Sequence, residues 1–394
     1  MLSRIGVRAF KSLENVDIEP GLVNVFIGAN GSGKSNLLEA IGVLGAAAFG
    51  RVDDESLLRR GVRPGLPELY KSSFKGSRQP SEIRFMAALD NDRAEYRVGL
   101  FNPQDAPEPA WRFKTENLQE DRCTIVGRSP ANKLRLDPSA GYTALKAVEL
   151  PDSPASELLE ELRNYSIYSP DTNTLRGLVV DSQSRDSVGL SGGRLAEAVR
   201  ELFTGDLPTA RRDQVGNKLV ELIGWAKSMG ASLPSAVPIS RNVPQPRFIL
   251  RFRDKFMADG RNYLSGYDAS EGALYVLFMA VLFHHSKSPK VFAVDNFDHA
   301  LNPRLAKALT RNICDWSIAM GRQAFLTSHN PLVLDGLPLA NDAIRLFTVE
   351  RSNRGKTVVR RVEVSEELMK QAEKGVPLSQ QWVNGVFGGV PTDM

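Results

Sequence analysis

The run Val23-Asn-Val-Phe-Ile-Gly28-Ala29-Asn30-Gly31-Ser32-Gly33-Lys34-Ser35 constrains this chain more than any other feature. An apolar strand feeds a GxxxxGKS loop, and Asn36-Leu-Leu-Glu-Ala-Ile-Gly-Val-Leu follows as a helix. Gly28, Gly31 and Gly33 let the backbone bend without a Cβ in the way, so that its N–H groups converge on an anion. The helix adds its positive N-terminus. Lys34 is then placed to reach the β and γ phosphates of a nucleoside triphosphate, and Ser35 to offer a hydroxyl to Mg²⁺.

With 394 residues the chain can form two or three domains, or one head with a large insertion, and bury a substantial core. Its 50 basic and 46 acidic residues nearly cancel and no long basic run occurs, so charge alone gives no argument for nucleic acid. Cys123 and Cys314 are too few for a disulfide framework or a four-thiolate zinc site. No signal peptide and no apolar run of bilayer length is visible, which points to the cytoplasm and away from a membrane partner.

Residues 3 to 27 alternate as strands do, and Ile83-Arg-Phe-Met-Ala-Ala-Leu with Tyr96-Arg-Val-Gly-Leu-Phe suggests a hairpin turned at Asp90-Asn91-Asp92. An antiparallel layer beside the nucleotide loop is expected. From residue 102 to 240 Pro-rich and Ser-rich stretches are broken by helices: one started by Ser153-Pro154, one carrying Leu195, Val199, Leu202 and Phe203, one over about 209 to 229. None sustains the heptads of a coiled coil. The last part alternates: helix about 271 to 285, strand 291 to 295, helix about 304 to 319, strand 323 to 327, hairpin 344 to 350 with 356 to 362. Such alternation argues for a largely parallel sheet with helices on its faces. Three regions follow: 1–101 with the phosphate loop, 102–240 as an insertion serving as lid or partner-binding unit, and 241–394.

Val291-Phe-Ala-Val-Asp295 is a buried strand delivering a carboxylate to its C-terminal end, the form of a Walker B strand that shares Mg²⁺ with Ser35. The next strand ends Thr327-Ser328-His329. Two segments compete as a signature. Leu190-Ser-Gly-Gly193 has the familiar letters but lies 105 residues before Asp295, inside the insertion. Ser270-Glu271-Gly272 opens the helix leading into the Walker B strand, with Ser270 only 25 residues before Asp295. A signature must present a serine and helix N-terminal amides to a phosphate, so position outweighs spelling and Ser270-Glu271-Gly272 is the better candidate.

On these motifs the chain resembles the ABC-class AAA ATPases related to RecF, SMC heads and OLD-type proteins, in particular a short prokaryotic group found in anti-phage and abortive-infection operons. Ile5-Gly-Val-Arg-Ala-Phe-Lys-Ser-Leu resembles their first strand and its turn, with Lys11 in an arginine place. Asp295-Asn-Phe-Asp-His-Ala-Leu-Asn-Pro303 resembles their Asp-Glu-Pro-Glu-x-Gly-Leu-His-Pro, and Thr327-Ser-His-Asn-Pro331 their histidine loop. The resemblance implies an α/β ABC-type P-loop NTPase head, a mixed sheet with an antiparallel β layer, carrying a mainly helical insertion. It also implies that ATP and Mg²⁺ are held by residues Gly28 through Asn36 with Asp295, that Ser270, Glu271 and Gly272 come from a second copy in an ATP-sandwiched dimer, and that His329 senses the γ phosphate.

One departure bears on mechanism. Where the family has a catalytic glutamate after the Walker B aspartate, this chain has Asn296, whose amide can hold water but cannot take its proton. Asp298 stands two residues on, either as a replacement base or as a residue of the dimer seam. Slow hydrolysis suits a switch that holds or activates a separate effector, such as a nuclease, in phage defence; only about 60 residues follow Pro331, without the clustered acids of a TOPRIM nuclease. The rivals are a RecF-like repair factor that clamps DNA, with Arg211, Arg212, Arg360 and Arg361 as scattered contacts, and a hydrolysis-deficient nucleotide sensor. Asn132-Lys133-Leu134-Arg135 and Asn217-Lys218-Leu219-Val220 do not complete an NKxD motif, which disfavours a GTPase.

Overall fold

A computed structural model describes residues 1–389 apart from 90–92, 104, 130–136, 144–151, 182, 184, 206, 241 and 245. Its centre is a six-stranded sheet of β3 (Val23–Ile27), β8 (Ile167–Tyr168), β12 (Val291–Val294), β13 (Gln323–Ser328), β14 (Ile344–Arg351) and β15 (Thr357–Arg361), in the order β15-β14-β3-β13-β12-β8. All neighbours are parallel except the β14–β15 hairpin. Every residue of β3, β12 and β13 is buried, as parallel strands covered on both faces require.

A second six-stranded sheet is wholly antiparallel: β1 (Leu2–Phe10), β2 (Leu13–Ile18), β4 (Ile83–Leu89), β5 (Ala94–Phe101), β6 (Arg112–Glu120) and β7 (Cys123–Arg128), in the order β2-β1-β4-β5-β6-β7. The expected β4–β5 hairpin forms, with Leu89 paired to Ala94, while its turn at 90–92 lies outside the described residues, as does the segment Asn132–Arg135. The antiparallel sheet continues past residue 101 into β6 and β7, and β8 joins the central sheet, so residues 102–240 contribute to both layers.

Between the sheets lie α1 (Lys34–Phe49) and α2 (Pro154–Asn164). The second starts where Ser153 and Ser156 form a capping box with Pro154 in the first turn. On the opposite face of the central sheet lie α3 (Leu195–Thr204), α4 (Thr209–Ile223), α5 (Glu271–His284) and α6 (Pro303–Met320). Twelve residues of α5, Ala273 to His284, are buried, so this helix is apolar on all sides and lies inside the core. Burial of each large side chain there contributes about 1.5–3 kcal/mol.

The apolar spacing at Val215, Leu219, Leu222, Ile223 and Ala226 predicts a helix continuing to about 229. The helix stops at Ile223 because Gly224 takes a positive φ of 73°, and Ala226–Ser232 become β9 of a small sheet with β10 (Ile249–Asp254) and β11 (Tyr263–Ser265).

Two buried polar side chains fasten the layers. Gln323 donates to the carbonyls of Leu2 (2.8 Å) and Gly21 (2.7 Å) and accepts from the Leu2 amide (3.0 Å), which links the two sheets. Arg322, 6 % exposed, donates to the carbonyls of Phe283 (2.8 Å), His285 (2.5 Å), Ser288 (2.5 Å) and Pro289 (2.8 Å). Its guanidinium thereby closes the C-terminus of α5 and fixes the loop that enters β12.

Candidate functional site

Because β3, β12 and β13 are parallel, their C-terminal ends open on the same edge of the sheet, where α/β folds bind ligands. There the phosphate loop follows β3, Asp295-Asn296 follows β12, and His329 follows β13. In the loop Gly31 (φ 76°) and Gly33 (φ 109°) occupy the left-handed region, and a Cβ on Gly28 would stand 2.1 Å from the Val349 carbonyl. Both demands exclude other residues.

Lys34, 7 % exposed, folds back and donates to the carbonyls of Gly28 (2.7 Å) and Ala29 (2.9 Å). Burial pulls its pKa below the ordinary lysine value, against the opposing pull of Asp295 and Asp298. Ser35 Oγ donates to Asp295 Oδ2 at 2.9 Å, so two hard oxygen donors converge beside the lysine. They fit a divalent cation such as Mg²⁺, with Ser35 and Asp295 as its protein ligands. Such a cation, when bound, draws charge from phosphate oxygens.

Thr327 sets this carboxylate from the other side. Its hydroxyl donates to Asp295 Oδ1 and accepts the Asn296 N–H at 2.9 Å. Asn296 has φ 51°, a left-handed conformation that asparagine tolerates better than most residues. Asp298 is 4 % exposed, and its Oδ1 has no hydrogen-bond partner among the described residues. Burial pushes its carboxyl above the ordinary aspartate value, against a hydrogen bond from Ser328 and the charge of His329. A buried carboxyl held above its ordinary value is able to take up a proton. Ala29, Ser35 and Asn36 are half-buried, Ser32 is buried, and Asn30 and His329 are exposed at the mouth.

Ser270, Glu271 and Gly272 make no hydrogen bond to this cluster among the described residues. Ser270 is exposed at the start of α5 and accepts from Trp225 Nε1 at 3.2 Å; Glu271 accepts from the Thr172 hydroxyl; Gly272 lies against Leu305 and Ala300. In Leu190–Gly193 the amides of Ser191 (3.0 Å) and Gly193 (3.2 Å) already donate to Asp181 Oδ2. Those amides are engaged within the chain, unlike the open start of α5.

Several contributors escaped the sequence reading. Thr327 lies in the Thr327-Ser-His run, whose letters alone give its hydroxyl no role. Ser12 and Thr357 join through their hydroxyls at 2.8 Å, Thr357 also donates to the Ser32 carbonyl at 2.7 Å, and Asn36 donates to Ser12 at 2.7 Å. Glu39 bridges Lys11 and Arg63; although burial would raise it, those two cations hold its carboxyl below the ordinary value. Trp225 is 45 residues from Ser270 in sequence, so no local pattern joins them.

Fold and site together define an ABC-type P-loop NTPase head with a mixed sheet and an antiparallel layer; residues 102–240 are built into both rather than forming a separate helical insertion. Residues 23–335 match the AAA_21 family, an AAA domain described in connection with the AbiEii toxin and type IV toxin–antitoxin systems, and the chain belongs to that family. It is similar to the DNA replication and repair protein RecF of Renibacterium salmoninarum, 33 % identical over 138 residues, 34 % of this chain and 33 % of that protein. The RecF of Heliobacterium modesticaldum is 28 % identical over 217 residues, 50 % of this chain and 54 % of that protein. The matches thus span about a third to a half of these relatives. Among solved structures, an Smc head bound to the C-winged helix domain of ScpA aligns with a TM-score of 0.55 at 15 % identity, over 94 % of this chain and 99 % of that chain. The Smc head with an extended coiled coil from Pyrococcus furiosus gives 0.52 at 13 %, over 95 % and 98 %. The chain is thus an AAA-family P-loop NTPase with the fold of the Smc heads, part of whose sequence is similar to RecF. Among its described residues no helix is long and apolar enough to cross a membrane.

Proposed function

We propose that this chain is a slowly hydrolysing ATP switch, two copies of which close around ATP and control a separate effector, a nuclease in anti-phage defence. The observation that carries this is the division of the site: Lys34, Ser35, Asp295, Asp298 and His329 lie at one sheet edge, while Ser270 presents an uncapped, exposed helix start whose contacts run elsewhere. In the closed pair Lys34 and Ser35 of one copy and Ser270, with the amides of Glu271 and Gly272, of the other hold the same triphosphate. Asp298 takes the proton of the attacking water as its oxygen displaces ADP from the γ phosphorus, and His329 contacts the γ phosphate. The abortive-infection link of the family supports the defence role. Light scattering on the purified full chain tests the switch: the mass is expected to double with ATP and Mg²⁺, and Lys34→Ala to stay monomeric. A parent protein that remains monomeric at saturating ATP would sink it.

Asn296 governs the timer. Asn296→Glu is expected to raise ATP turnover by about tenfold, below the full range of general base catalysis because glutamate is less at ease at φ 51°. Turnover unchanged in both Asn296→Glu and Asn296→Ala would remove Asn296 from any role in the rate.

The RecF relatives favour a second reading, ATP-dependent clamping of duplex DNA. Against it, Arg361 pairs with Asp342, Arg360 with Glu350, and Arg211 and Arg212 are engaged by Met320 and the Phe203 carbonyl. Salt-sensitive duplex binding that appears only with ATP would decide for it.

A further inference from the structure

We propose that Trp225 is a positioning residue for Ser270, holding its hydroxyl as a donor toward the triphosphate bound by the partner copy. The inference rests on the closed pair described above. A serine before a helix ordinarily turns its oxygen inward to accept from an amide of the first turn. Ser270 makes no such bond. Its Oγ instead accepts from Trp225 Nε1 at 3.2 Å. An indole N–H only donates, so the direction of this bond is fixed, and the serine proton stays available for an acceptor outside the chain. Behind it the Glu271 and Gly272 amides, the first two of α5, have no acceptor within the helix.

Trp225 is itself tightly placed. Gly224, with its positive φ, turns the chain out of α4, and the Trp225 ring packs on Phe252 at 5.3 Å between centroids. Phe252 is fully buried, and the Trp225 carbonyl accepts from the Lys255 amide at 3.1 Å. The indole therefore cannot follow the serine if the serine turns, and a shift of α4 would be felt at Ser270. An Ala or Phe at 225 would leave the hydroxyl free to rotate inward and cap its own helix.

The test is a double-mutant cycle on the full chain, reading the ATP-dependent dimer dissociation constant. Trp225→Phe keeps the packing on Phe252 and is expected to weaken the dimer about fivefold, the loss of one neutral hydrogen bond. Ser270→Ala is expected to weaken it at least as much, and the double variant no further than Ser270→Ala alone. Thermal melts confirm folding, and Trp225→His, which retains a ring N–H, is expected to recover part of the loss. Trp111, Trp316 and Trp382 are buried, so the emission lost in Trp225→Phe reports the half-buried Trp225, and that emission is expected to shift when ATP closes the dimer. Additive effects, or no effect of Trp225→Phe while Ser270→Ala acts, would overturn the role of Trp225 alone. No effect of Ser270→Ala would overturn instead the reading of Ser270 as the contact between copies.

Discussion

Asp298→Asn is expected to lower ATP turnover by about 10²–10³-fold while leaving ATP binding within a few-fold of the parent. The amide keeps the shape of the side chain and removes the only function assigned to it, the acceptance of a proton from water. The same substitution has a second, opposite signature in stability. Burial raises the Asp298 carboxyl, so the folded protein holds that proton more tightly than the unfolded chain does. The proton-linked stability is complete below the unfolded aspartate value and is lost as pH rises through the raised one. At pH 7 to 8 the variant is therefore expected to melt above the parent, and the gap to close as pH falls toward 4. Turnover measured with melting curves at several pH values checks both. Loss of turnover without that pH-dependent gap would assign Asp298 to positioning; full turnover would return it to the seam between copies.

Arg322→Ala should be the most damaging change away from the nucleotide. Four carbonyls at the end of α5 and the entry to β12 take their hydrogen bonds from this one guanidinium. Removing it leaves the Phe283, Ser288 and Pro289 carbonyls to find water or nothing, while His285 keeps the Ser288 amide at 3.1 Å, and at about 1–3 kcal/mol each before relaxation we expect a total of about 3–5 kcal/mol. Arg322→Lys, with three donors in place of five, should fall between. Urea unfolding checks this; an unchanged midpoint for Arg322→Ala would mean that these carbonyls do not depend on the side chain.

The elements that carry the site were legible because they obey local rules. Val23–Ile27 and Val291–Val294 are short, mostly apolar runs of the length a doubly covered strand takes, and the glycine loop with its helix is a pattern with one physical use. Ser153-Pro154 announced α2 through capping chemistry. The overextended third helix failed for an equally local reason: apolar spacing alone outvoted Gly224, whose left-handed turn ended the helix. The antiparallel edge at β6 and β7 was hidden because their pattern is half-polar. Long-range partners were hidden more deeply. Nothing near Thr357 says that it touches Ser32, 325 residues away, nor near Trp225 that it meets Ser270. Such pairings exist only once the sheets have closed.

The Thr357 contact also bears on how fast nucleotide is captured. A glycine-rich loop hung between a strand and a helix would ordinarily sample many shapes, and each arriving ligand would wait for the productive one. Here Thr357 grips the loop from the β14–β15 hairpin through the Ser32 carbonyl and crowds Gly33 so closely that a Cβ there would lie 2.1 Å from its hydroxyl. The loop is held in shape before any ligand arrives, its ordering entropy already spent in folding. Capture then requires that the buried Lys34 release two carbonyls, a change of one side chain rather than of the loop backbone. Rearrangement of the loop backbone is therefore not expected to limit the association rate.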